Sequence, residues 1–180
     1  MTIGLTHGTV KLVPYSHEWP RLFAEEQELL YRALGSLAVS VEHIGSTAIC
    51  NMEAKPIIDI AAMISKLEDI DTCVNLLGPL AYEYKGEYGL PGRHFFVKGN
   101  PVTHHLHVVV SGSDHWLSWM FFRDHLRAET HIAKQYADIK HELAKTYSQN
   151  RDAYTRSKGE FIVKVLREAG ADKSVESPEQ

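Results

Sequence analysis

One carboxylate inside an apolar, β-branched run constrains this chain more than any other feature. Residues Ile57 to Ile64 spell IIDIAAMI, the pattern of a central strand covered on both faces. An ionised Asp59 among Ile57, Ile58, Ile60 and Ala61 is costly unless it is paired or bound to a cation. Two readings stay open: a buried ion pair with Lys55 or an arginine, and a ligand for Mg2+, because hard cations at phosphoryl-transfer sites are held by one or two carboxylates plus substrate phosphates.

The elements that would cover such a strand are legible on either side of it. Ser16 is placed to cap a helix in which Trp19, Leu22, Phe23, Leu29, Leu30, Ala33 and Leu34 recur at helical spacing, and Gly35 ends it. Val39 to Ile44 is predicted as a strand with Glu42 near its end, broken by the tight polar turn Gly45, Ser46, Thr47, Ala48. Ser65 and Glu68 form a capping-box pattern ahead of a helix that runs to about Leu77 and stops at Gly78 and Pro79. Strands over Ala81 to Glu87, His94 to Lys98 and His105 to Val110 bring the sheet to about five. From Ser113 onward the chain is helical, with caps expected at Ser113, Thr130 and Asn150. The fold class is therefore α/β (α+β): a mixed sheet flanked by helices, with a helical C-terminal half. Residues 1–170 are expected to form one domain, followed by a frayed polar tail over 171–180.

Charge and cysteine content narrow the function classes. Across 180 residues, 19 basic against 23 acidic side chains give a net charge of -4, which argues against a domain that grips nucleic acid by phosphate neutralisation but leaves room for a local basic cluster. Cys50 and Cys73 stand in no disulfide or metal-ligand spacing and fit reduced thiols in a cytoplasmic protein. The N-terminal stretch lacks the charged start and apolar core of an export signal, and no apolar run approaches a bilayer span, so neither export nor membrane insertion is expected. The phosphate loop of P-loop kinases, the Gly-rich dinucleotide fingerprint and the nucleophile elbow are all missing.

Chemistry is concentrated between Val41 and Ile60. Backbone amides at the Gly45-Ser46 turn, helped by the Ser46 and Thr47 hydroxyls, can hold a phosphate, although the same residues also make ordinary turns. His105 and His107 share one face of their strand by alternation, so they can ligate a metal, contact phosphate or hydrogen-bond within a polar pocket. Arg93, in a Pro-Gly-Arg-His turn, is the best placed of the basic residues, with Lys55 next and Lys98, Arg123, Arg127 and Lys158 behind them. Tyr154 and Lys158, four apart on one helical face, can be a packing pair or a ligand contact.

The string EHIGSTA, then AKPIIDI, GRHFFVKGNP, HHLHVV, FRDHLR and AYTRSKGEFI, resembles the GrpB family within the nucleotidyltransferase superfamily, from about Val13 to Leu166. The resemblance implies a polymerase beta-like nucleotidyltransferase fold in which Gly45 and Ser46 grip a nucleoside triphosphate and a carboxylate on the next strand binds Mg2+. It also hints at coenzyme A metabolism, because GrpB-like domains occur fused to dephospho-coenzyme A kinase. Such enzymes usually carry two carboxylates two residues apart on that strand, whereas Asp59 is followed at that spacing by Ala61. Glu42, one strand over, is a candidate replacement ligand at about 4.8 Å strand spacing. The His-x-His pair would stand where a third carboxylate is often found, and imidazole suits Zn2+ or Mn2+ better than Mg2+. The leading expectation is metal-dependent transfer of a nucleotidyl group to a small acceptor by Asp59 and Glu42, with Gly45, Ser46, Thr47, Lys55, Arg93 and Arg123 on the phosphates. Its rivals are a non-catalytic nucleotide or coenzyme A-related sensor and a phosphohydrolase built on His105 and His107.

Overall fold

The computed structural model describes residues 3–171, so the tail expected from 171 onward lies, beyond its first residue, outside the described residues. A five-stranded mixed sheet has the order β1-β2-β5-β4-β3, with β1 at Ala38–Ile44, β2 at Ile58–Ile64, β3 at Tyr82–Tyr84, β4 at His94–Lys98 and β5 at His104–Val110. Only β2 and β5 pair in parallel; the other neighbours are antiparallel. The two central strands are buried along nearly their whole length, as their apolar runs require.

Helices α1 (Glu18–Leu34) and α2 (Ile70–Leu77) cover one face. There Trp19, Leu30 and Leu34 pack with Ile58, Ile60, Ala62, Leu106 and Val108, and each fully buried aliphatic side chain contributes about 1.5–3 kcal/mol. Gly35 ends α1 at φ 55, a left-handed value that glycine adopts without strain. Helices α3 (Asp114–Ala128), α4 (Thr130–Thr146) and α5 (Arg151–Glu168) build the other half. They share an apolar cluster with Ile49 and Met52 from the segment between β1 and β2.

Three local expectations are corrected. The Ser65/Glu68 capping box is replaced by a short 3-10 turn over Leu67–Asp69, and α2 starts at Ile70 with no side-chain cap. Thr130 is the first residue of α4 rather than its cap. β3 is shorter than Ala81 to Glu87, because Ala81 takes a left-handed φ of 64 in leaving the preceding 3-10 turn. Asn150 does cap α5, accepting the Ala153 amide at 3.0 Å.

The outer edge of the sheet is held from one side. Tyr31 Oη accepts the Val41 amide at 3.0 Å, and Gln27 donates to the Val41 carbonyl at 2.7 Å. Both side chains come from α1, so β1 is stitched to the helix that covers it. Among the described residues no helix is long and apolar enough to cross a membrane.

Candidate functional site

The parallel register of β2 and β5 sets Asp59 beside His105 and Ala61 beside His107. Strand alternation turns these four to one face, the one opposite α1 and α2. Asp59 Oδ1 and His105 Nδ1 are 2.8 Å apart, and Arg151 Nη2, at the start of α5, is 2.7 Å from His105 Nε2. A guanidinium can only donate. Nε2 is therefore the acceptor, and the imidazole proton sits on Nδ1, donated to Asp59.

Burial would raise the Asp59 carboxyl, but the His105 hydrogen bond, with Lys55 nearby, holds it well below the usual carboxylate range. Burial pushes His105 down to about 4, against the pull of Asp59. His107 is held well below its usual value by burial, with Arg93 adding to the effect. An ionised carboxylate and two neutral imidazoles are the protonation states a metal needs.

Asp59, His105 and His107 each bring one ligand atom, and these atoms lie within 4.8 Å of one another. His107 Nδ1 is buried with no hydrogen-bond partner among the described residues. Because both ring nitrogens of His105 are engaged, one by Asp59 and one by Arg151, Asp59 and His107 are the groups open to a divalent cation, and such mixed oxygen and nitrogen donors suit Mn2+ or Zn2+ better than Mg2+.

Gly45 makes this arrangement possible. Its φ is 68, and a Cβ built there would lie 2.6 Å from Asp59 Oδ2 and 3.0 Å from Asp59 Cβ. Only glycine lets the turn after β1 close down on the carboxylate.

The trio opens into a cavity of about 1030 Å³. Among the described residues, eight lysines and arginines line it against three carboxylates, Asp59, Glu83 and Asp152, although the chain as a whole is acidic. Such a local excess of positive charge, walled by protein, concentrates anions.

Gly45, Ser46, Thr47, Lys55, Arg93 and Arg123 all line this cavity together with Asp59, His105 and His107. Several have further partners. The Thr47 hydroxyl is 2.9 Å from Nε2 of His43, which stacks on Phe23 of α1. Arg93 is 1% exposed; its Nη2 donates to the Glu87 and Tyr88 carbonyls at 2.9 and 2.8 Å and its guanidinium lies over Phe95. Glu42 aligns with Ala61, yet its carboxylate accepts from Arg123 Nη1 at 2.8 Å. The group around Asp59 is completed by the histidines, and Ala61 packs in an apolar cluster with Ile44 and Trp119. Lys98 lies elsewhere, bound to Glu26, and Arg127 donates to the Ala48 carbonyl. Arg151 and Lys140 are cavity residues that sequence reasoning missed. The one local signal for Arg151 was its place directly after the Asn150 cap.

The buried imidazoles make stability sensitive to acid. Burial is the leading cause that lowers His43 to about 3 and His105 to about 4, and it also lowers His94, His104 and His107. The unfolded chain protonates these groups below about pH 6.5 while the fold keeps them neutral, so the unfolded state binds more protons. Stability is then full above that pH and falls as pH drops towards the folded values, by up to about 1.4 kcal/mol per pH unit for each histidine. Urea midpoints should fall steeply between pH 7 and pH 5; a flat profile would contradict five buried neutral imidazoles.

The mixed sheet, with the Gly45-Ser46 turn leading towards Asp59 on the next strand, has a backbone fold shared with solved structures. Its backbone matches the Cid1 poly(U) polymerase bound to MgGTP (TM-score 0.50, 11% identity, 73% of this chain and 44% of that one) and the GLD-2/RNP-8 complex (0.56, 12%, 86% and 60%), likenesses of fold alone. The profile of the GrpB protein family matches residues 9–168, and the chain belongs to that family. The crystal structure of the conserved protein GrpB from Enterococcus faecalis is 35% identical, with TM-score 0.82 over 88% of this chain and 96% of that one. The glutamate-rich protein GrpB of Alkalihalophilus pseudofirmus is 35% identical over 92% of this chain and 99% of its own length. YqkA of Bacillus subtilis is 38% identical over 85% of this chain, but the match spans only 45% of that longer protein.

Proposed function

We propose that the protein binds a nucleoside triphosphate with a divalent cation in this cavity and transfers its nucleotidyl group to a small acceptor. The observation that carries the reading is the meeting of a cation-ready trio with an excess of basic side chains in one cavity of an acidic chain. In the transfer, an acceptor oxygen bonds to the α-phosphorus, the bond to pyrophosphate breaks and the acceptor proton leaves to water. A bound cation would neutralise charge on the phosphates. Asp59 and His107 would hold that cation, and His105 would orient Asp59 through its Nδ1–H. The Gly45-Ser46 turn and Lys55 would position phosphates, while Arg93 and Arg123 would add positive field from their anchored places. Chemistry of this kind is mostly positioning and electrostatics. We place the protein in the cytoplasm, acting as one unit over residues 1–170, with a link to coenzyme A metabolism drawn from the family resemblance.

A hydrolase reading has one observation in its favour: the His107 Nδ1, buried with no hydrogen-bond partner among the described residues, stands beside the Asp59 carboxylate, and a nitrogen donor favours Mn2+ or Zn2+ over Mg2+. A single set of measurements separates the two. Thermal shift with the four common nucleoside triphosphates should show a rise of several degrees with Mg2+ or Mn2+ and none with chelator, since a ligand of the native state stabilises it by mass action. Turnover of α-labelled triphosphate then distinguishes a transferase from a sensor. Absence of any nucleotide shift, together with tight Zn2+ or Mn2+ binding to nucleotide-free protein, would replace this reading with the hydrolase.

A further inference from the structure

Two arginines that line the cavity are held in different ways. Arg123 is answered by carboxylates, Glu42 and Asp124, each at 2.8 Å. Arg151, the first residue of α5, is answered by an imidazole. Its Nη2 lies 2.7 Å from His105 Nε2, and among the described residues His105 is its only hydrogen-bond partner. No ion pair joins it to a carboxylate among those residues: burial lowers its pKa, and Asp59, Tyr88 and Asp152 oppose that only through space. A neutral imidazole nitrogen accepts one hydrogen bond and supplies no charge, whereas a guanidinium carries five N–H donors. The arrangement leaves four of them for whatever fills the cavity, and a half-buried cation in such surroundings calls for an anion.

The position of Arg151 decides what that anion meets. His105 stands between Arg151 and Asp59, its Nε2 accepting from the one and its Nδ1 donating to the other. Anchoring at Nη2 sets the orientation of the guanidinium before a ligand arrives, which lowers the ordering cost of binding. Its planar N–H groups match the oxygens of a phosphate or sulfate. An oxyanion on Arg151 stands one imidazole away from the Asp59 carboxylate, at the edge of the cation site, and phosphates at such sites commonly bridge a cation and a basic side chain.

We propose that Arg151 is an oxyanion-binding residue, which takes a phosphate group of the ligand on the N–H groups that His105 leaves open while its Nη2 stays on the imidazole. Phosphate as the group rests on the nucleotidyl-transfer reading; the oxyanion contact does not. The test is a titration of sodium sulfate, at constant ionic strength, into the nucleotide-free protein, followed by 15N NMR of the histidine side chains and backbone amides. His105 should show a protonated Nδ1 and a bare Nε2, and sulfate should move the Nε2 resonance saturably. Arg151→Met should weaken sulfate at least tenfold, and Arg151→Lys, which keeps the charge without the planar fork, less than that. Arg156 also lines the cavity but is exposed, so Arg156→Met, removing the same charge, should cost less than threefold. The proposal is overturned if sulfate leaves the His105 Nε2 resonance unmoved, if Arg151→Met binds sulfate like the parent, or if the two methionine variants lose equally. Should Arg151→Met fail to fold, the Nε2 response of the parent protein decides. Sulfate binding that needs Arg151, in a protein that takes up no nucleoside triphosphate with Mg2+ or Mn2+, keeps this assignment and removes the transferase reading. Triphosphate binding without any sulfate response at His105 does the reverse.

Discussion

Asp59→Asn is expected to leave a folded protein that has lost cation-dependent nucleotide binding. The amide is nearly isosteric with the carboxylate, and its oxygen can still accept the His105 Nδ1–H that Asp59 Oδ1 takes at 2.8 Å. What disappears is the negative charge that draws a hard cation. The nucleotide Kd with Mg2+ or Mn2+ should rise at least a hundredfold, which corresponds to about 2.7 kcal/mol, while the melting temperature changes by a few degrees. Calorimetry with and without cation measures the first and thermal unfolding the second. A variant that binds nucleotide and cation like the parent would remove Asp59 from its assigned role.

Gly45→Ala should damage fold and site together. The new methyl would stand 2.6 Å from Asp59 Oδ2 and 3.0 Å from Asp59 Cβ, on a backbone with φ 68 and ψ -172. Essentially only glycine occupies that region, at a strain of about 1–3 kcal/mol for other residues, and overpacking adds about 1–3 kcal/mol more. Gly86 supplies the control, since its φ is also 68 but nothing lies within 4 Å of a Cβ there. Urea unfolding should show Gly45→Ala losing clearly more stability than Gly86→Ala, and only the Gly45 variant should lose cation binding. Equal losses would mean that backbone strain, and not contact with Asp59, accounts for the effect.

The parts of the site legible in the sequence are those that local periodicity controls. A lone carboxylate in an apolar strand, a Gly-Ser turn and a His-x-His alternation each signal themselves within a few residues, and the parallel register of β2 with β5 then brings Asp59 next to His105. Partners far along the chain leave no such mark. Glu42 and Arg123 were each recognisable as charged candidates, but their pairing across 81 positions is set by how α3 lies on the sheet. Arg151 begins a helix after a polar stretch, and nothing local says that the helix aims it at an imidazole. His43 drew no notice for the same reason, since its partners Phe23 and Thr47 meet only after α1 docks on β1. At α2 the error was about one turn and at α4 one residue: cap-like side chains were present, but the backbone closed a 3-10 turn before α2 and began α4 one residue earlier, on Thr130 itself.

The stitching of β1 to α1 decides how this molecule meets its own kind. An open strand edge is a template on which a stray peptide or a second chain can continue the sheet. At Val41, midway along the rim, both the amide and the carbonyl that such a visitor would need are already taken by Tyr31 and Gln27. The helix therefore protects its own flank against fibre-like growth, and it does so with two side chains.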